Sequence, residues 1–297
     1  MRKLEELGGI SILSSEALSV LQHCAIGGPL FPNMRTLRVW PNRIDIPFIP
    51  LFLSSKTTAI EIMGLGPKVP KLTVASMITT FSTLCPSLQE VALPFLPRHP
   101  MVTTAVSGML LASNRNTLRR FHVDSTLTEE ARQAVCNLPN LRHLSVVIEK
   151  DSSLPLVALP KLTNLAIKYD EESDLLRVFH GATFGKLETV TFHSKSKQIE
   201  NLLEAFERIA VAESVQDTLS EFRLHTSCSW DPNYSSLLPF RQLKVLIVEP
   251  SCHGGCSSTV DDDVITNLAR AMPSLVTLKV DDEPCREILN GPRSKGL

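Results

Sequence analysis

A single short pattern returns along most of the chain: an apolar residue, two variable positions, a second apolar residue, one variable position and a third apolar residue. It reads Met34-Leu37-Val39, Leu88-Val91-Leu93, Leu118-Phe121-Val123, Leu141-Leu144-Val146, Leu162-Leu165-Ile167, Leu187-Val190-Phe192, Leu219-Phe222-Leu224, Leu243-Leu246-Val248 and Leu275-Leu278-Val280. A degenerate copy, Ile60-Ile62 with Thr57 in the opening position, fills the gap after the first. In each copy the last two apolar residues alternate with variable ones, which puts them on one face of a short strand. The segments between are of another kind. Ser15 to Cys24, Ala75 to Leu84, Thr103 to Ser113, Thr128 to Cys136, Glu172 to His180, Gln198 to Ala212 and Asp262 to Met272 read as helices. Thr128 ahead of Glu129-Glu130, and Asp261 to Asp263 ahead of Val264-Ile265-Leu268, are helix starts, since hydroxyl caps and acidic side chains favour that end. Five copies carry a proline two residues before the opening position: Pro32, Pro86, Pro139, Pro160 and Pro273. Proline there ends the helix and leads into the strand.

Strand followed by helix, many times over, implies parallel strands joined by crossovers. One unit cannot bury its apolar face alone, so neighbours must stack. The copies open every 21 to 32 residues, about 27 on average, which is the leucine-rich-repeat period stretched in places. The expected fold is therefore α/β: a right-handed leucine-rich-repeat solenoid, or horseshoe, of about ten irregular repeats. Its parallel strands would line the concave face and its helices the convex face. Residues 1–30 are expected to form an N-terminal cap or partial repeat, 31–281 the solenoid and 282–297 a short C-terminal tail.

Composition narrows the classes. The chain has 297 residues, 43% apolar and only 5% aromatic, so the core is built from leucine, valine and isoleucine. Thirty basic against 31 acidic residues leave no global charge to draw nucleic acid or an anionic membrane. Seven cysteines are too sparse for a disulfide scaffold, and the N-terminus shows no apolar signal core. The apolar run from Ile44 to Leu53 is broken by Pro47 and Pro50 and falls far short of a bilayer span. A cytoplasmic or nuclear protein is expected.

Motifs for catalysis are weak. Gly64-Leu65-Gly66 lacks the third glycine of a dinucleotide loop, and neither a phosphate-binding Gly-Lys-Ser/Thr sequence nor a Gly-x-Ser-x-Gly elbow occurs. Cys252-His253-Gly254-Gly255-Cys256 offers thiolates and an imidazole, but without a second paired cluster it reads as a glycine-rich loop. Asp261-Asp262-Asp263 lacks the spacing of a calcium loop. His23, Cys24, Cys85 and Cys136 fall on helical or helix-end positions where burial is the ordinary explanation. No enzyme activity, metal or cofactor is expected.

The informative positions are the variable ones of the strands, which must face away from the core. They include Arg38, Trp40, Glu61, Glu90, Arg120, His122, Asp124, His143, Ser145, Lys168, Thr191, His193, Glu221, Arg223, His225, Glu249, Lys279 and Asp281. The candidate partner-binding residues are Arg38, Trp40, Arg120, His122, His143, Lys168, His193, Arg223 and His225. From Arg120 to His225 the basic and imidazole side chains are expected to form one lateral stripe, because parallel neighbours lie about 4.8 Å apart. Such a stripe suits an acidic or phosphorylated segment of a protein partner. The plainer reading is a strand face that is polar for solubility, and Trp40 also fits a cap over the first repeat.

The stretch Thr259 to Val280, together with Cys85 to Val91 and Thr128 to Val146, resembles the repeats of F-box/leucine-rich-repeat proteins, most of all the large fungal ones. The resemblance covers about residues 31 to 280. It implies a repeat array that holds a protein substrate for a cullin-RING ubiquitin ligase. In that family an N-terminal F-box docks the ligase adaptor. No Leu-Pro-x-Glu opening helix precedes the first repeat here, so the adaptor is expected as a partner only if an F-box lies upstream. The alternative is a scaffold or regulator outside the ligase system, holding a GTPase or another protein on its concave face.

Overall fold

The computed structural model describes residues 15–24, 28–39, 46–63, 65, 69–93, 96–97, 99–111, 114–148, 159–171, 184–194, 203, 206–207, 215–226, 234–250 and 262–280. Ten strands run through them: β1 (Thr36–Val39), β2 (Ala59–Ile62), β3 (Glu90–Leu93), β4 (Arg120–Thr126), β5 (His143–Ile148), β6 (Asn164–Tyr169), β7 (Thr189–Ser194), β8 (Glu221–Thr226), β9 (Val245–Pro250) and β10 (Thr277–Val280). They form one open sheet in sequential order, and every pairing is parallel.

The register is the one the repeats predict. Leu37 stands beside Ile60, then Val91, Phe121, Leu144, Leu165, Val190, Phe222, Leu246 and Leu278. From Leu37 to Leu246 every member of that column is buried, and Leu278 at the edge is exposed. The apolar residue that opens each copy makes a second buried column from Leu88 to Leu243. Thr57 takes its place in the degenerate copy, fully buried. It tolerates burial because Ser54 N donates to its Oγ1 at 3.1 Å and the Met34 carbonyl accepts from it at 3.3 Å.

One hydrogen-bond device joins all ten units. Two successive amides at the head of each strand donate to one carbonyl of the preceding unit: Thr58 and Ala59 to Arg35, Gln89 and Glu90 to Thr58, and so on to Val276 and Thr277 on Lys244. The proline motif prepares this geometry. In all five copies the residue before the proline accepts a bond from the amide three positions on, as in Leu88 N to the Cys85 carbonyl at 3.2 Å. Proline thus sits at the second position of a β-turn, where its fixed φ is favourable.

The helices lie between strands. α1 is Ser15–Cys24, α2 Lys71–Leu84, α3 Pro100–Leu111, α4 Glu129–Cys136 and α5 Asp262–Ala271. α2 and α3 begin earlier than the sequence predicts; α3 starts on Pro100, a residue suited to the first helical position. Thr128 caps α4, its side chain accepting from Ala131 N. Ile46–Phe52 is a 3-10 helix burying Ile46, Ile49 and Phe52, three residues apart as that helix requires. The expected helices over 172–180 and most of 198–212 fall outside the described residues, as do 282–297, Trp40, Asp281 and the Cys252 to Cys256 loop.

Cys85 is fully buried, and burial pushes its thiol up to about 11, so it is an inert packing residue. Cys136 packs against the core. His23 departs from the expected burial: it is exposed on the last turn of α1, its Nδ1 2.7 Å from the Ser19 carbonyl.

Candidate functional site: the open face of the sheet

The strand face opposite the core carries the predicted site residues other than Trp40, which lies outside the described residues, and the register sorts them into three rows. The first contains Glu90, Arg120, His143, Asn164, Thr189 and Glu221. Arg38, Glu61, His122, Ser145, Ala166, Thr191, Arg223 and Lys279 belong to the second. The third runs Val147, Lys168, His193, His225 and Glu249. The single basic stripe expected from the sequence is therefore divided: Arg120 and His143 lie in one row, His122 and Arg223 in another, and Lys168, His193 and His225 in the third. Alternation within a strand fixes which face a residue takes, and position along the strand fixes its row.

Every cation on these strands has a carboxylate of its own. Arg38 Nε lies 2.5 Å from Glu61, Arg120 Nη1 3.6 Å from Glu90, Lys168 Nζ 2.8 Å from Asp124 and Lys279 Nζ 2.5 Å from Glu249, while Arg223 pairs with Glu221. These ten are all the Asp, Glu, Lys and Arg residues that the described strands direct to this face. The permanent charge of the described strands on this face therefore sums to zero. The pairs at Arg38, Arg120 and Arg223 are about half exposed, and such pairs add at most about 1 kcal/mol each.

Asp124 is more enclosed. β4 carries an irregularity between His122 and Thr126, so its carboxylate reaches past β5 to the lysine of β6. His122 Nε2 stands 3.2 Å from its other oxygen. The His122 imidazole above all, assisted by Lys168 against the effect of burial, holds the Asp124 carboxyl down at about 2.

The imidazoles behave differently from the fixed charges. His193 and His225 stack face to face across β7 and β8, ring centres 4.4 Å apart and planes 7° from parallel. Burial first, then the His225 and Lys168 charges, pull His193 down to about 4. His225 is lowered chiefly by burial although Glu249 lies 3.1 Å from its Nδ1, and His143 is lowered by burial and by Arg120. All three are thereby held toward the neutral form.

Between the charged regions the face dips. A depression of about 210 Å³ opens over β5, β6 and β7, floored by Ser145, Ala166 and Thr191 and edged by Arg120, His143, Asn164 and Thr189. The hydroxyls of Ser145, Thr189 and Thr191 and the amide NH2 of Asn164 have no hydrogen-bond partner among the described residues. Asn164, Thr189 and Ala166 were not among the residues singled out from the sequence. The signal was present: each sits one or three residues into its strand, in the same alternation as its charged neighbours. Polar contacts of this kind can pair with the main chain of a bound segment.

No family model matches the chain, and no curated protein matches it. Among the described residues no group of three His, Cys, Asp or Glu side chains is arranged to hold a metal ion, and no helix is long and apolar enough to cross a membrane.

Proposed function

We propose that the chain is a leucine-rich-repeat recognition module that binds a polypeptide on the open face of its sheet. The observation that carries this reading is the sequential ten-strand parallel sheet, which buries one face and leaves the other lined with regularly spaced polar side chains. An open array of this kind offers contact area and hydrogen bonds along many strands, which suits a protein better than a small molecule. The partially exposed depression over β5 to β7 is its centre. The resemblance of Thr259 to Val280 to F-box/leucine-rich-repeat units supports a more specific role, the substrate-holding part of a ubiquitin-ligase subunit.

The test is capture of partners by the wild-type chain and by two variants, Ala166→Arg and Arg120→Ala/Arg223→Ala. Ala166→Arg fills the depression; the double change removes two half-exposed guanidinium groups. A partner that is lost or weakened several-fold by both variants, with thermal stability nearly unchanged, supports the reading. Partners retained by both would reject it. Recovery of a cullin adaptor with the full gene product supports the ligase role, whereas a stable face-dependent partner without adaptor supports a scaffold or regulator.

A further inference from the structure

The permanent charges that the described strands direct to the open face cancel, and the same strands place four histidines on it, His122, His143, His193 and His225; histidine is the side chain whose charge ordinarily changes near neutral pH. They are half of the eight histidines in the chain, gathered onto one face by β4, β5, β7 and β8. We propose that this face is an acid-responsive docking surface for a carboxylate-rich polypeptide segment, gated by the stacked His193–His225 pair. The proposal rests on the polypeptide-recognition reading above and names the chemistry of its partner.

The surroundings of each ring are specific. His193 on β7 faces Lys168 on β6 and His225 on β8, with Asp124 and His122 of β4 beyond. His225 faces His193 on one side and Glu249 of β9 on the other, with Arg223 on its own strand and Lys279 of β10 nearby. His143 faces Arg120, with Glu90, Arg142 and Glu188 around it. Among the described residues Glu249 is the carboxylate in contact with the stacked pair, and it is already shared with Lys279, while Asp124 acts on His193 from farther off and is itself paired with Lys168. Protonating both rings at 4.4 Å would set two like charges face to face, with the carboxylates nearest them, Glu249 and Asp124, already paired with lysines. An external carboxylate supplies what is missing. Such a ligand raises the affinity of the rings for protons, and by reciprocity protons raise the affinity for the ligand. Burial holds the stacked pair toward its neutral form, so without acid or a ligand it adds no charge to the face.

The test uses the whole chain and a fluorescently labelled Asp/Glu-rich peptide, titrated at about pH 7.5 and about pH 5.5, where the peptide carboxylates stay ionised. Each proton taken up on binding changes affinity about tenfold per pH unit in the affected range, so tightening of at least about tenfold is expected. His193→Asn/His225→Asn should abolish it, and His23→Asn, remote from the face, should keep it. Should the double variant not fold, calorimetry on the wild type in buffers of different ionisation enthalpy reads proton uptake directly, with about one proton or more expected. Equal affinity at both pH values, no proton uptake, or tightening that survives in the folded double variant overturns the proposal. If those results come with a partner still captured through the open face at neutral pH, the acidic-segment proposal fails while polypeptide recognition stands.

Discussion

Asn114 and Val215 occupy the same place in two different repeats. The carbonyl of each accepts bonds from the amides three and four positions on, Thr117 and Leu118 in one case, Thr218 and Leu219 in the other. Each is followed by a threonine whose hydroxyl donates to the preceding unit, Thr117 to the Leu88 carbonyl at 2.7 Å and Thr218 to the Leu187 carbonyl at 2.9 Å. Val215 is buried as an apolar residue should be, while Asn114 is only 1% exposed and neither its amide nitrogen nor its amide oxygen has a partner among the described residues. A buried amide without hydrogen bonds costs about 1–3 kcal/mol. Asn114→Val is therefore expected to stabilise the protein by about that amount, raising Tm by several degrees. Thermal unfolding followed by circular dichroism checks it, and a lowered Tm would mean that the amide is bonded in solution.

At Gly185 the backbone of two successive repeats comes into close contact. A Cβ at this position would lie 2.1 Å from the carbonyl oxygen of Pro160 and 3.0 Å from its carbon. The neighbouring bridge between Leu159 and Phe184 holds the two segments together, and a backbone oxygen cannot rotate aside as a side chain can. Gly185→Ala is expected to lower stability by about 1–3 kcal/mol through overpacking. An unfolding midpoint in urea equal to that of the wild type would rule out so close an approach.

How far the sequence carried is clear from particular residues. The columns headed by Leu37 and Leu88 were readable because period two and the repeat spacing act together: once one strand is placed, its neighbours must align or lose their core. The same register also implies the charge pairing, since Arg38 opposes Glu61, Glu90 opposes Arg120 and His225 opposes Glu249. Grouping the basic residues by strand face alone hid it, because neutralisation depends on rows. The Asp124 to Lys168 pair was not readable, for it skips a strand and depends on the irregularity in β4. Nor was the 3-10 helix Ile46–Phe52, whose Pro47 and Pro50 break the α-helical period that a sequence reading looks for.

Phe206 is the hub of an aromatic cluster that joins several repeats. Its ring lies 5.5 Å from Phe192 of β7, 5.2 Å from Phe222 of β8 and 5.4 Å from Phe240, which it stacks upon at 11°. In a chain with so few aromatic residues this concentration ties β7, β8 and the segment leading into β9 together through one side chain. Phe206→Ala should cost about 3–5 kcal/mol, the range for removing a buried aromatic ring. Phe206→Leu should recover more than half of that, and a loss below about 1 kcal/mol for the alanine variant would show that the neighbouring rings close the gap.

The open face also sets the response of the unbound protein to acid, in two successive windows. His193 is held from its ordinary 6.5 down to about 4, so between those values the unfolded chain binds the extra proton and stability falls as pH drops. Asp124 is held from 3.8 down to about 2; its contribution is complete above the ordinary value and is lost as pH falls through that lower range. Both effects destabilise in acid, but different residues govern each stage. Calorimetric Tm should therefore decline from about pH 6.5 to 4 less steeply in His193→Asn than in the wild type. Below about pH 4 the further decline should be blunted in Asp124→Asn, which can no longer lose a charge there. Identical slopes for His193→Asn and wild type in the upper window would mean that the ring is solvated, and that its stacking on His225 does not exclude the proton.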